Sequence, residues 1–175
     1  AVVQDGSGGW FLGGSFNSVG GFVITNLARL RSDYTVDATW QPNPNGAVRT
    51  LALANGVLYV GGQFSYIAGI TRSNVAALSA STGLAEAWDP QPDGPVNALA
   101  VSGNTVYLGG EFLNLGDRAR KRLAAVSVLD GSVTGWKPDA NSSVFALTAA
   151  EGVVYVGGEF TMVGSETRER IAALD

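Results

Sequence analysis

The chain has no cysteine and no histidine, only two lysines (Lys121 and Lys137) and a single methionine, Met162. Without cysteine there is no disulfide, no thiolate metal site and no cysteine nucleophile. Without histidine the commonest general base and the commonest zinc ligand are missing, and a Ser-His-Asp triad cannot be assembled. Charge is scarce as well. Charged residues make up 15% of the 175, against roughly 25% in an average globular protein. The net charge of -4 argues against a nucleic-acid partner, which calls for a basic field. No apolar run is long enough to span a membrane, so no membrane insertion is expected. The chain starts at Ala1, which reads as a processed chain or a segment of a longer one.

What is abundant is glycine, 24 residues, set among short apolar runs that make up a 46% hydrophobic chain. The glycines are periodic. Gly-Gly pairs begin at positions 13, 61, 109 and 157. Trp40, Trp88 and Trp136 keep the same 48-residue step, each followed two residues later by Pro42, Pro90 or Pro138. Apolar blocks beginning at Leu27, Val75, Leu123 and Ile171 keep it too. Three markers in one register define an internal repeat.

The repeat explains the string GGEF at Gly109–Phe112 and Gly157–Phe160. It resembles the signature of a diguanylate cyclase. That signature needs a second acid where Phe112 and Phe160 stand, and it belongs to an α/β domain, for which no helical pattern exists here. A string that recurs as VGGQF and LGGSF reads as a repeated strand.

One repeat, residues 95–142, divides into four short strands. Val96–Val101 is apolar, and Ser102-Gly103-Asn104 turns the chain. Thr105–Phe112 follows, then a longer connection, then Leu123–Val128 and Ser132–Trp136. Lys137-Pro138 ends the unit, because proline is poorly tolerated in a central strand. Four antiparallel strands in 48 residues make one propeller blade. The expected fold is therefore all-β: a β-propeller of four-stranded antiparallel blades, about 3.7 of them. The blade limits are 1–46, 47–94, 95–142 and 143–175, the last incomplete. Apolar runs without strict alternation fit sheets buried on both faces. The double glycine fits close approach between blades, and each tryptophan fills the gap at their outer edge. A β-solenoid is the alternative, but its coils are shorter and need no paired hairpins.

The pattern WxPxxxxxVxALAxxxxxVYVGGxFxxxGxxxRxxxAALD resembles the secreted bacterial β-propeller repeats called delta-60-type repeats. The second to fourth repeats fit it best. The first departs, with GGWFLGGSF for VYVGGEF and Ile24 where an arginine is due. The resemblance implies an exported or cell-surface bacterial protein with a binding or scaffolding role, alongside adhesion-like or cell-wall modules. It implies no defined ligand and no reaction.

The fourth blade ends before the tryptophan due at position 184. Three explanations are weighed, in this order: further blades in a longer protein, two chains completing an eight-bladed ring, or a four-bladed ring closed within one chain. Open blade faces and edges would otherwise invite association.

Candidate binding residues lie on the face carrying the long connections 17–25, 65–73, 113–121 and 161–169. Arg72, Arg120 and Arg168 recur there. So do Glu111 and Glu159, after the double glycine, with Gln63 as their counterpart. Tyr66 offers an apolar surface. Arg118 and Lys121, with Arg120 and Arg122, form one basic cluster beside Asp117. A polar ring of this kind would take a glycan or protein ligand. The competing reading is structural, with each arginine bracing a neighbouring blade's carboxylate or stacking on its tryptophan, and Asn45, Asp93 and Asn141 serving as turn residues. No catalytic residue, cofactor or metal is expected, since no dense calcium-loop pattern is present. The expected function is a non-catalytic binding or scaffold module. The alternatives are a structural subunit that uses open blade edges, and a propeller-fold carbohydrate-active enzyme that would need paired carboxylates.

Overall fold

The computed structural model describes residues 1–175, all strands and turns with no helix. Four three-stranded antiparallel sheets follow one another along the chain. Their inner strands are Val2–Gln4, Ala47–Ala54, Val96–Ser102 and Val144–Ala150. Their middle strands are Trp10–Gly13, Val57–Gln63, Thr105–Gly110 and Val153–Gly158. Their third strands are Leu27–Leu30, Val75–Ser79, Leu123–Ser127 and Ile171–Leu174. The inner hairpin of the second sheet turns at Asn55-Gly56, both at positive φ, as a tight hairpin requires.

The expected fourth strand is not a strand. It is reduced to a single bridge, Leu78 to Ala85 in the second repeat and Val126 to Val133 in the third. Two backbone bonds frame the latter, Ser127 N to Ser132 O and Thr134 N to Ala125 O. Pairing goes no further, and the next carbonyls accept from side chains. Arg120 donates to Thr134 O at 2.6 Å, and Arg72 donates to Glu86 O at 3.0 Å.

The sheets stack in sequence through apolar faces. One core joins Phe11, Leu27 and Trp40 of the first repeat to Leu58, Val60 and Leu78 of the second. The next joins Tyr59, Val75 and Trp88 to Val106, Leu108 and Val126. Each tryptophan sits in the gap between its own sheet and the following one. Trp88 packs edge-on against Tyr59 at 5.2 Å and donates to Ser127 O of the next sheet at 2.8 Å. Trp136 repeats this with Tyr107 and Asp175 O. Trp40 packs on Phe11, but its indole N–H is buried without a partner.

The two glycines of each pair have separate jobs. A β-carbon at Gly109 would lie 2.6 Å from Val144 Cγ1 of the following sheet, and one at Gly61 would lie 2.8 Å from Val96 Cγ1. Gly13 likewise receives Val48. The first glycine is thus a socket for a valine of the next sheet, with Leu51, Leu99 or Leu147 beside it. The second glycine lies under its own sheet's inner strand. A β-carbon at Gly62, Gly110 or Gly158 would strike the carbonyl of Ala47, Pro95 or Ser143. The expectation of close approach between sheets therefore holds for the first glycine of the first three pairs only.

The first sheet is held differently. Arg29 stands where later repeats carry alanine. It pairs with Asp5 at 2.8 Å and lies over the Phe11 ring. Burial works against ionisation of Asp5. The Arg29 guanidinium and the N–H groups of Ser7 and Gly9 outweigh it, so its pKa falls well below the usual carboxylate range.

Gly109→Val should destabilise the chain by about 1–3 kcal/mol through overpacking of the socket. Gly157→Ala should be nearly neutral, because the nearest atoms to its β-carbon would be 3.7 Å away. Urea unfolding of dilute protein checks the contrast; equal losses for the two variants would contradict the socket.

Candidate functional site

Three two-stranded ribbons rise from the long connections: Tyr66–Ile67 with Ile70–Thr71, Asn114–Leu115 with Arg118–Ala119, and Met162–Val163 with Glu166–Thr167. In the first repeat the equivalent is a single bridge, Val19 to Phe22. The sequence reading took these segments as plain loops. The ribbons are pinned by the turn that follows each tryptophan. Asn45 Oδ1 accepts the amides of Ser65 and Tyr66, Asp93 Oδ1 those of Leu113 and Asn114, and Asn141 Oδ1 those of Thr161 and Met162. These three residues are the turn residues that the simpler reading expected.

Burial raises the pKa of Asp93. The main-chain and side-chain N–H groups of Asn114 and the amide of Leu113 lower it by more, so the net shift is downward.

The recurrent arginines face the outer edge of their sheets. Arg72 donates to Thr71 O and Glu86 O and lies 3.5 Å from Asp89. Arg120 donates to Ala119 O and Thr134 O. Arg168 has only Thr167 O, at 3.5 Å. The hydrogen-bond partners are main-chain carbonyls of the arginine's own repeat, and the one carboxylate in reach, Asp89 beside Arg72, also belongs to that repeat and not to a neighbouring blade.

The basic cluster is dispersed in the same way. Arg122, at positive φ, donates to Ala140 O, as Asn26 and Asn74 do to Pro44 O and Pro92 O at the same repeat position. Arg118 is exposed and lies 3.5 Å from the exposed Asp117. The Lys121 amide donates to Asp139 Oδ1, and its side chain lines an open cleft.

Glu111 belongs to a second group, built from residues that the sequence reading passed over. Each of the last three inner strands has a register break at the same place, setting Arg49, Asn97 and Phe145 out of the ladder. Such bulges re-aim a side chain. Arg49 donates to Gln63 Oε1 at 2.9 Å in its own sheet, and to Asn97 Oδ1 at 2.6 Å and Glu111 Oε1 at 2.9 Å in the next. Asn97 in turn donates to Val144 O of the following sheet. The network clasps three sheets at one end of the inner strands. In the fourth repeat the bulge carries Phe145, half exposed, and Glu159 there has no side-chain partner. The missed signal lay in the repeat itself, since positions 49, 97 and 145 hold three different residues.

Three apolar side chains on or beside the ribbons stay exposed: Tyr66 and Leu113 at 45% and Met162 at 39%. Leu113 and Met162 border a cleft of about 630 Å³ between the third and fourth repeats, with Lys121, Arg122, Asp139 and Asn141 on its walls. No group of three or more acidic side chains is close enough together to hold a metal ion.

A family model described as a domain of unknown function (DUF5122) β-propeller matches residues 7–39. That match and the repeated sheets support a β-propeller fold. Among solved structures, the computationally designed Ika4 protein superposes with a TM-score of 0.55 at 15% identity, covering 85% of this chain and 78% of its own. The computationally designed Ika8 protein reaches 0.44 at 15% identity, covering 82% of this chain and 57% of its own. No curated protein matches the chain.

Ionised Asp93 stabilises the fold at neutral pH, because its folded-state pKa lies below its ordinary value of 3.8. That contribution is present above the ordinary value and is lost as pH falls through the folded one. Asp93→Asn keeps an acceptor in the turn, as Asn45 and Asn141 do, at the cost of about 1 kcal/mol for the altered bond to the Asn114 side chain. Acid unfolding followed by circular dichroism should show a shallower loss below about pH 4 in the variant. An unchanged pH profile would remove Asp93 from the acid response.

Proposed function

We propose that the chain is a non-catalytic binding or scaffold module of an exported bacterial protein, acting at the cell surface. On this reading each sheet, with its bridged outer segment, is one blade. Glycan or protein ligands dock on the ribbon face. The observation that carries the reading is the cleft between the third and fourth repeats. It combines exposed Leu113 and Met162 with the basic residue Lys121, beside ribbons held by side-chain hydrogen bonds from the turns. Apolar surface beside a few placed polar groups is what a binding site needs, and a rigid scaffold lowers the entropic cost of docking. Arg72 and Arg120 support the ribbon face from outside and have few donors left for a ligand. Glu111, the carboxylate that an enzyme reading would use, already accepts from Arg49 and Asn97. The alternative of a structural subunit draws on a separate observation, the uncovered face of the fourth sheet.

The test is titration of the chain with bacterial cell-wall glycan fragments, followed by calorimetry. Saturable binding is expected, weakened at least tenfold in a Leu113→Ala, Met162→Ala double variant and unchanged in Glu111→Gln. Binding that survives the double variant would move the site elsewhere. Cleavage of the glycan that is lost in Glu111→Gln would replace this reading with the enzyme.

A further inference from the structure

The chain has three filled sockets and one empty one. Gly13, Gly61 and Gly109 each receive a valine and a leucine of the next sheet. Gly157 has only Ala146 and the Arg170 carbonyl of its own sheet within 4 Å. The empty socket sits in an apolar hollow lined by Ala146, Leu147, Tyr155 and Ile171. Leu27, Val75 and Leu123, the counterparts of Ile171, are fully buried, whereas Ile171 is 72% exposed. Tyr155 is half exposed, while its counterpart Tyr59 is buried under the next sheet. The fourth sheet therefore presents a glycine socket and its apolar surround, the rear face of an interface that the fold has already made three times.

The matching front half is also present and also uncovered. In the first sheet Val2 pairs with Leu12, as Leu51 pairs with Val60 in the second. Val2 thus holds the position of the leucine knob, and it is 61% exposed. Trp10 and Leu12 next to it are only partly buried, whereas their counterparts Leu58 and Val60 are fully buried. The first and fourth sheets share no hydrogen bond and no ion pair, so the two halves do not meet within one chain.

We infer that the open face of the fourth blade docks the first blade of a second copy of this chain, and that two copies close head to tail into one ring. The occupant follows from continuity with the three internal interfaces. What fits a glycine socket flanked by Tyr155 and Ile171 is the leading face of a blade of the same repeat, and the chain carries one such face free. The contact joins unlike surfaces, so it generates a ring where the rotation closes and a filament where it does not. Two copies give eight blades, within the usual range of four to eight, and leave no open face. Three copies would exceed that range. This inference rests on the blade reading above but not on the cleft, and mass and glycan binding are separate readouts.

The experiment is light scattering on the full chain from low micromolar to millimolar concentration, with Ile171→Asp and Val2→Asp as variants. Both positions are exposed in the single chain, so both variants should fold, which circular dichroism verifies. The expected result is a wild-type mass rising from 18.0 kDa to twice that value and then levelling off. Each variant alone should associate at least tenfold more weakly. An equimolar mixture of the two should recover the doubled mass, because one intact rear face then meets one intact front face. A wild type that stays at 18.0 kDa throughout would overturn the proposal. A mass that keeps climbing would overturn closure by two. Undiminished association of Val2→Asp would show a symmetric rear-to-rear contact instead.

Discussion

The contact on which the rest of the structure depends is the seating of a valine and a leucine from one sheet on the first glycine of the pair in the sheet before. Isolated three-stranded sheets of this size have too little core to be stable, and stacking supplies the missing burial. The glycine sets how closely the sheets approach, because any side chain there would meet Val48, Val96 or Val144. At that spacing Trp88 reaches from one repeat to a carbonyl of the next. The interface is thus apolar around the glycine and hydrogen-bonded at its outer edge, with the Arg49 network adding a polar clasp at one end.

Much of this was legible from the spacing of residues. The 48-residue step in glycine, tryptophan and the apolar blocks located all four sheets, and the three complete strands of the third repeat fall within a residue or two of their expected places. The fourth strand was not legible: the segment stops at a single bridge both beside Arg72 and Arg120 and in the first repeat, where Ile24 stands in place of an arginine. Nothing local to Ser132–Trp136 reveals the outcome. The ribbons were missed because each strand is only two residues long, too short for any periodicity to show. Their turns gave little signal either, since Ala68, before Gly69, sits at positive φ, where alanine is uncommon.

The candidate site was legible only in part. A residue that recurs at every repeat reads as either a ring of ligands or a brace, and sequence cannot separate the two. The coordinates show Arg72 and Arg120 bonded to main-chain carbonyls of their own repeats. Arg49 escaped notice because its importance comes from a β-bulge, which changes where a side chain points without changing the hydrophobic pattern. The exposed trio Tyr66, Leu113 and Met162 shares no residue type. What the three have in common is nearness to the ribbons: Tyr66 and Met162 open theirs, and Leu113 immediately precedes its own.

Hydrogen exchange resolved along the chain tests the central claim most directly. If filled sockets hold the sheets together, the middle strand Thr105–Gly110, covered on both faces, should exchange slowly at every concentration. Val153–Gly158, whose socket is empty, should exchange much faster in dilute protein and slow as the concentration rises. Equal protection of the two strands in dilute protein would mean that the fourth sheet is covered within a single chain, and would contradict the claim.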